Sequence, residues 1–346
     1  MIKSEPDRKR SKDLGIDLKT IKLFEKIAKA VAPPPIMTVS QWADAERRLS
    51  AESSAEAGRW NTDRAPYQRE ILDAVNNPEC EEVVIMSSAQ VGKTELILNT
   101  IGYYIDYDPA PILVVNPTIE MAQTFSKDRL APMIRDTPAL RGKVRDAKSK
   151  NSGNTILHKQ FPGGHITMAG ANSPASLASR PIRIALMDEI DRYPASAGTE
   201  GNPIKLAEKR TTTFWNRKKI KVSTPTIKGQ SQIEAEFLTG SQEEWCVPCP
   251  CCGKYQPYEW GRIHFSDVTM ECKFCGEHIS EVDWKQQKGK YIAKFPDRKR
   301  KRSFHLNELA SPWKHWEEII REFREAQKEL KENGDINKMK TWINTT

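Results

Sequence analysis

This chain lacks any apolar run long enough to cross a membrane, shows no internal repeat, and has an odd number of cysteines, seven. These absences exclude a membrane-spanning helix, a solenoid and a disulfide framework. Its first residues, Met1-Ile2-Lys3-Ser4-Glu5-Pro6, lead into charge and not into an apolar stretch, so no secretory leader is expected. Acid is scarce in one place: residues 285–302 hold nine Lys and Arg against the single acid Asp297. What is present is a globular composition, 38% hydrophobic and 29% charged over 346 residues, enough for two or more folded units. The net charge of +8 is compatible with a nucleic-acid partner without establishing one. Four of the cysteines stand in metal-like spacing, which argues for a reducing cytoplasm.

The chain is organised around Val83-Val84-Ile85-Met86-Ser87-Ser88-Ala89-Gln90-Val91-Gly92-Lys93-Thr94, followed by Glu95-Leu96-Ile97-Leu98. Apolar strand, small-residue loop and helix in that order predict a phosphate-binding loop of a nucleoside triphosphatase. Backbone N–H groups of Ser87 to Gly92 and the helix N-terminus would cradle the phosphates. Lys93 would reach the β- and γ-phosphates, and Thr94 would hold Mg²⁺ through its hydroxyl. Ser87 stands where Gly usually opens this loop.

Further along, Ile182-Arg183-Ile184-Ala185-Leu186-Met187-Asp188-Glu189 reads as an apolar strand ending in two acids. Asp188 is the expected Mg²⁺ partner opposite Thr94, and Glu189 the group that polarises the attacking water. Strands are also predicted at Pro111–Thr118, ending in turn residues, and at His165–Gly170 and Lys218–Val222, with a helix at Met121–Ile134, a small-residue loop at 172–179 and irregular chain at 141–160. The strand at 218–222 delivers Ser223-Thr224-Pro225-Thr226 to the same sheet edge, where Thr224 could sense the γ-phosphate. Some twenty residues before the loop, Gln68 sits early in a helix, placed to read adenine, with Tyr67 as a stacking wall.

Cys249 with Cys252, and Cys272 with Cys275, form two C-x2-C pairs nineteen residues apart, each followed by Gly. Four thiolates so spaced predict a closed, structural zinc ribbon, with Cys246 and Cys251 as spares. The basic run that follows is interleaved with Trp284, Tyr291, Phe295 and Phe304, a pattern that could track a phosphate backbone or be a solvated loop. Trp316, Ile319, Ile320, Phe323 and Leu330 fall on one stripe of a last helix. At the other end, a basic segment with a short amphipathic stretch from Ile21 to Ala28 leads to Pro33-Pro34-Pro35.

These residues resemble the large terminase subunit of tailed bacteriophages, in the branch typified by the lambda packaging protein. The resemblance rests on Trp42-Ala43-Asp44, Gly58-Arg59-Trp60, Ala65-Pro66-Tyr67-Gln68, the phosphate loop, Asp188-Glu189-Ile190-Asp191-Arg192-Tyr193-Pro194, Ser223-Thr224-Pro225-Thr226, the four-cysteine insertion and Phe304-His305-Leu306-Asn307-Glu308-Leu309-Ala310-Ser311-Pro312-Trp313. It implies an ATPase that pumps double-stranded DNA into a procapsid through a portal, working in a homo-oligomeric ring with a small terminase subunit in the host cytoplasm. In isolation such a chain could be a monomer. It also implies a C-terminal nuclease domain, and Lys340 to Thr346 resembles the junction into it, so the ATPase half alone is expected here.

The family often carries Arg inside the phosphate loop, where this chain has Ala89-Gln90. Arg180, just before the acidic strand, is the candidate finger acting in trans, with Arg183 in reserve. The expected fold is an α/β P-loop NTPase of the additional-strand, catalytic-Glu type, with a mainly parallel sheet. Its expected parts are a basic segment (1–35), an ATPase core (36–245), a zinc ribbon (246–280) and a basic, helical linker (281–346). The expected cofactors are ATP, Mg²⁺ and Zn²⁺. Rival functions are a helicase-like or remodelling ATPase, and a non-hydrolysing DNA- or assembly-binding module.

Overall fold

A computed structural model describes residues 17, 19–20, 22–24, 37–144, 154–178, 180–227 and 229–345. The chain divides into two compact units, Met1–Met37 and Thr38–Thr346, and the second carries every strand among the described residues. Apart from residues 22–24, the predicted amphipathic stretch and the triproline lie outside the described residues.

Ten strands build the main sheet. In chain order they are β1 (Glu82–Ser87), β2 (Pro111–Asn116), β3 (His158–Phe161), β4 (Gly164–Gly170), β5 (Ile184–Asp188), β6 (Lys218–Ser223), β7 (Glu243–Pro248), β8 (Tyr255–Pro257), β9 (Lys290–Ala293) and β10 (Lys301–Leu306). The spatial order is β8-β7-β10-β1-β6-β5-β2-β4-β3, with β9 also on β7. The seven strands from β7 to β4 run parallel, and β3, β8 and β9 are antiparallel. Parallel strands covered on both faces read as unbroken apolar runs, which is why β1, β2 and β5 were legible in the sequence. The antiparallel β3 falls where irregular chain was expected, and Pro174–Ala178 is helical where a loop was expected. The strand has one apolar residue, Phe161, and the helix is five residues long, so neither is long or regular enough to leave a periodic signal.

Successive residues of β1 face opposite layers. Val84 joins Leu113, Val115, Ala185 and Met187 under Ile204 of α4 (Pro203–Lys209) and Ile233 and Phe237 of α5 (Gln232–Leu238). Earlier in the chain, α1 (Val39–Glu46), α2 (Tyr67–Asn76) and α3 (Lys93–Asp106) pack on one another. Thr38 caps α1 through a reciprocal box with Gln41. Gly102 leaves room inside α3 for the fully buried Trp42 ring, whose Nε1 donates to Asp106 Oδ2 at 2.7 Å.

The sheet does not stop at residue 245. β10 lies between β7 and β1, so a segment expected to be a linker is a central strand beside the phosphate loop. The cysteine region grows out of β7 and β8 and continues into a small sheet of Ile263–His264, Thr269–Glu271 and His278–Ser280. Part of the basic run is built into the fold. Lys285, Lys299, Arg300, Lys301 and Arg302 pair with Glu281, Glu79, Glu81, Glu236 and Glu243, while Trp284, Tyr291 and Phe304 are buried. β10 enters the sheet between β7, which begins at Glu243, and β1, which Glu79 and Glu81 precede, whereas Lys288, Lys290, Lys294 and Arg298 stay exposed.

Helix α6 (Trp316–Asn333) buries Trp316, Ile319 and Ile320, and Phe323 packs on Trp260, Phe265 and Trp342. Leu330, placed on the same stripe by sequence, is 37% exposed.

One charge is fully enclosed. The Lys221 side chain is 0% exposed and meets Glu82 at 3.3 Å and Glu236 at 2.8 Å, with Glu208 also paired to it. Burial alone would raise the Glu236 carboxyl, but Lys221 and Lys301 hold it down at about 2. A carboxyl depressed on folding contributes stability above its unfolded value, and that stability is lost as pH falls toward the folded value. Lys221→Met is therefore expected to lower stability by about 3 kcal/mol near neutral pH, since it strands buried carboxylates. In urea titrations the deficit relative to the parent chain should shrink between roughly pH 5 and 2; a deficit unchanged over that window would show a packing effect instead.

Candidate nucleotide site and cysteine cluster

The parallel register brings the C-terminal ends of four strands level. Ser87 stands opposite Leu306, Met86 opposite Ser223, and Asp188 opposite Val222. Ligands of open α/β sheets bind at this edge. The loop continues the ladder at its first step, where the Ser88 N–H donates to the Leu306 carbonyl at 3.0 Å. Two residues of the loop have positive φ, Gln90 at 60° and Gly92 at 85°. Ser87 ends a strand and needs no glycine, which accounts for the departure from the usual pattern. Gln90 adopts its conformation without being glycine, a strain found at ligand-binding turns.

Gly92 caps α3 at its N-terminus. A side chain there would collide with the Gln68 amide, so that close approach requires glycine. Gln68 is fully buried; its Nε2 lies 3.4 Å from the Val91 carbonyl, which also accepts from the Tyr67 hydroxyl at 3.2 Å. The Gln68 Oε1 has no partner. Tyr67 is buried and meets Trp245 edge-on, so it offers no open face to a base, contrary to its expected role as a wall.

Lys93 follows, its side chain 10% exposed, with Nζ 3.3 Å from Glu189 Oε1 and bonded to the Thr224 hydroxyl. Burial lowers the Lys93 pKa, and Glu189 opposes that shift. Three predicted groups from three separate segments thus converge at one point. Asp188 is the last residue of β5, and burial, aided by the neighbouring Glu189 carboxylate, pushes its carboxyl up to about 7. A buried carboxyl of this kind ionises fully only with added positive charge, and so suits a divalent cation shared with Thr94, the second residue of α3. Glu189 has φ 53°, a strained left-handed turn that directs the chain out of the strand.

Sequence reasoning gave Asp191 no role. Its carboxylate accepts from the Thr226 N–H and hydroxyl, both at 2.9 Å, and from the Ile233 N–H at 2.7 Å. It thereby ties the Thr224 loop and α5 to the acidic strand. The signal available was only its place three residues beyond Asp188. Arg47 was also missed: 3% exposed, it pairs with Glu95 in the first turn of α3 at 3.0 Å.

The two arginine candidates lie elsewhere. Arg180 is exposed beside the outer strand β3, with Nη1 3.3 Å from His158 Nε2. Arg183 makes a paired contact with Asp108, at 2.8 and 2.6 Å, just before β5 begins and so at the opposite end of that strand from Asp188.

The four predicted cysteines come together, their sulfurs all within 4.8 Å of one another. Gly253 and Gly276, both at φ 71°, turn each knuckle. Cys251 and Cys252 N–H groups point at the Cys249 sulfur at 3.4 and 3.5 Å, and Phe274 N–H at Cys272 at 3.4 Å. Backbone donors aimed at sulfur stabilise thiolates, and four thiolates suit a tetrahedral, thiophilic ion. No open ligand position remains for catalysis. Cys246, in β7, and Cys251 lie outside this group of four. No helix among the described residues is long and apolar enough to cross a membrane.

Residues 54–291 match the family described as phage terminase large subunit gpA, ATPase domain. Residues 301–346 match terminase large subunit gpA, endonuclease domain, so the expectation that this chain carries only the ATPase half finds no support. Among curated relatives, the large terminase subunit of Enterobacteria phage P21 is 30% identical over 349 residues, covering 91% of this chain and 53% of the relative. That of Escherichia phage lambda is 28% identical over 348 residues, covering 90% and 52%. The chain spans about half the length of these relatives. A solved structure, the Thermus phage P74-26 large terminase ATPase domain, is 14% identical with a TM-score of 0.44, covering 86% of this chain and 99% of that one. That likeness is too loose to bear on the site. The family match spans the loop at residues 87–94, the Asp188-Glu189 strand and the four cysteines, and this chain belongs to the gpA family of phage terminase large subunits.

Proposed function

We propose that this chain hydrolyses ATP and couples the hydrolysis to movement of double-stranded DNA into a procapsid, as part of a ring that engages a portal and a small terminase subunit. The observation that carries the reading is the convergence of Lys93, Glu189 and Thr224 at the end of the sheet beside Asp188. The names of the P21 and lambda relatives support the packaging context.

In this form the Lys93 ammonium neutralises the Glu189 carboxylate. Entering phosphates draw Lys93 onto the β- and γ-oxygens and release Glu189, which then accepts a proton from the attacking water. Loop N–H groups from Ala89 to Gly92 hold the phosphate oxygens, since the Ser88 N–H already donates to Leu306, and Thr224, bonded to Lys93, registers loss of the γ-phosphate. Mg²⁺, held by Thr94 and Asp188, would neutralise charge between the β- and γ-phosphates. Gln68 packs against Gly92 of the loop, and its buried, unpartnered Oε1 is the acceptor assigned to the adenine amino group.

Arg180 supplies transition-state charge from a neighbouring subunit, a contribution worth roughly 10³–10⁵ in rate. Its exposure, away from its own phosphate loop, suits a role in trans. Glu189→Gln should keep ATP affinity and lower turnover about a hundredfold or more. Arg180→Ala should do likewise in rings assembled on DNA and procapsid, and mixing the two variants should restore some turnover. Single-turnover hydrolysis with radiolabelled ATP measures both; loss of ATP binding in Arg180→Ala, or no rescue in mixed rings, would assign Arg180 a role within its own subunit.

The cysteine cluster holds a structural zinc ion, which supplies folding energy and no chemistry. Metal analysis of reduced protein should find one zinc per chain. Cys252→Ser or Cys275→Ser should release it and raise protease sensitivity around residues 246–280. Reduced protein free of zinc would overturn the assignment.

A further inference from the structure

Beyond the phosphate-binding residues, the loop has a second neighbour. Trp313, from the turn between β10 and α6, reaches the outer face of Gly92: a side-chain carbon placed on Gly92 would lie 3.7 Å from Trp313 Cη2. The same face of Gly92 meets the Gln68 amide, so both side chains converge on it. The Trp313 ring is not a core residue, being 44% exposed. It is nonetheless held in place, because its Nε1 donates to Glu56 Oε1 at 3.3 Å, and Glu56 is clamped by Arg64 at 2.7 Å. A large, half-exposed aromatic fixed by one hydrogen bond presents a flat apolar face at low entropic cost, the usual arrangement for stacking a nucleobase. Beside it stands Gln68, fully buried with an unpartnered Oε1, an acceptor that calls for a donor. Tyr67 cannot serve as this wall, since its ring is enclosed.

We propose that Trp313 is the stacking wall for the purine base of the bound nucleotide, with Glu56 as its positioning residue. The inference rests on the nucleotide reading given above and adds to it the base-recognition side. Trp313 lies seven residues beyond the end of β10, past the short turn Glu308–Ala310, and the Leu306 carbonyl that ends β10 anchors Ser88 of the loop. The base therefore touches the segment that leads into α6, and an occupied site ties that segment to the phosphate loop.

The test compares two probes on the full chain with Mg²⁺ present: ATPγS, which has a base, and inorganic tripolyphosphate, which has none. Trp313→Ala should weaken ATPγS binding by about tenfold, in line with the loss of one base–aromatic stack. Tripolyphosphate affinity should stay within about twofold, because the phosphate-binding residues are untouched. Trp313→Phe should recover most of the loss. Equal weakening of both probes, or no weakening of ATPγS, would overturn the stacking role. If the parent chain binds neither probe, the nucleotide reading itself fails; if it binds both and the variants behave alike, only the role of Trp313 fails. A measurement independent of any variant is photolabelling of the parent chain with 8-azido-ATP, which should mark the peptide carrying Trp313. Label confined to other peptides would count against the proposal.

Discussion

The ladder of backbone hydrogen bonds that holds Glu82–Ser87 between Lys218–Ser223 and Lys301–Leu306 is the constraint on which the site depends. A phosphate loop must turn sharply while keeping its N–H groups unpaired and pointing outward. It can do so only if the strand before it is fixed on both sides. Here the fixing extends one residue into the loop, through the Ser88 N–H and the Leu306 carbonyl. From that anchor the chain passes through the strained Gln90 and Gly92 and enters α3, placing Lys93 where Thr224 and Glu189 meet it.

The same sheet balances charge with its neighbours. Lys221, Lys301 and Arg302 would each be costly inside a sheet if unpaired. Glu82, Glu208, Glu236 and Glu243 meet them, and the acids come from strands and helices on either side. Of the nine basic residues in 285–302, Lys285, Lys301 and Arg302 are drawn into the fold by acidic partners, while Lys288, Lys290, Lys294, Arg298, Lys299 and Arg300 remain exposed.

The cysteine knuckles are not a detachable ornament. They leave from β7 and return through β9 to β10, so the cluster closes a loop whose two ends are sheet strands. Its order therefore bears on where β10, and with it Leu306 and Trp313, can lie. The segment from 301 onward is matched by a nuclease family, yet its first six residues pair with the phosphate-loop strand. Strand pairing thus crosses the boundary that the family descriptions draw.

Local chemistry was what the sequence determined. Buried parallel strands must be apolar, phosphate loops must pair small residues with Lys and Thr, and metal knuckles must place thiols at fixed spacing. Each constraint acts over a few residues, so β1, β5, β6, the meeting of Lys93 with Glu189 and the clustering of the four cysteines were legible from the chain alone. Strand order was decided only by the tertiary structure. Nothing local in Lys301–Leu306 says that it lies beside β1, because Glu243, Glu236 and Glu82, which neutralise its charges, are 59, 65 and 219 residues away. Nor does any local pattern bring Trp313 to Gly92 or Asp191 to Thr226, since both contacts follow from the register of a sheet assembled from distant segments. Tyr67, conversely, looked available in sequence and is enclosed, because burial is a property of what packs on a residue and not of the residue itself.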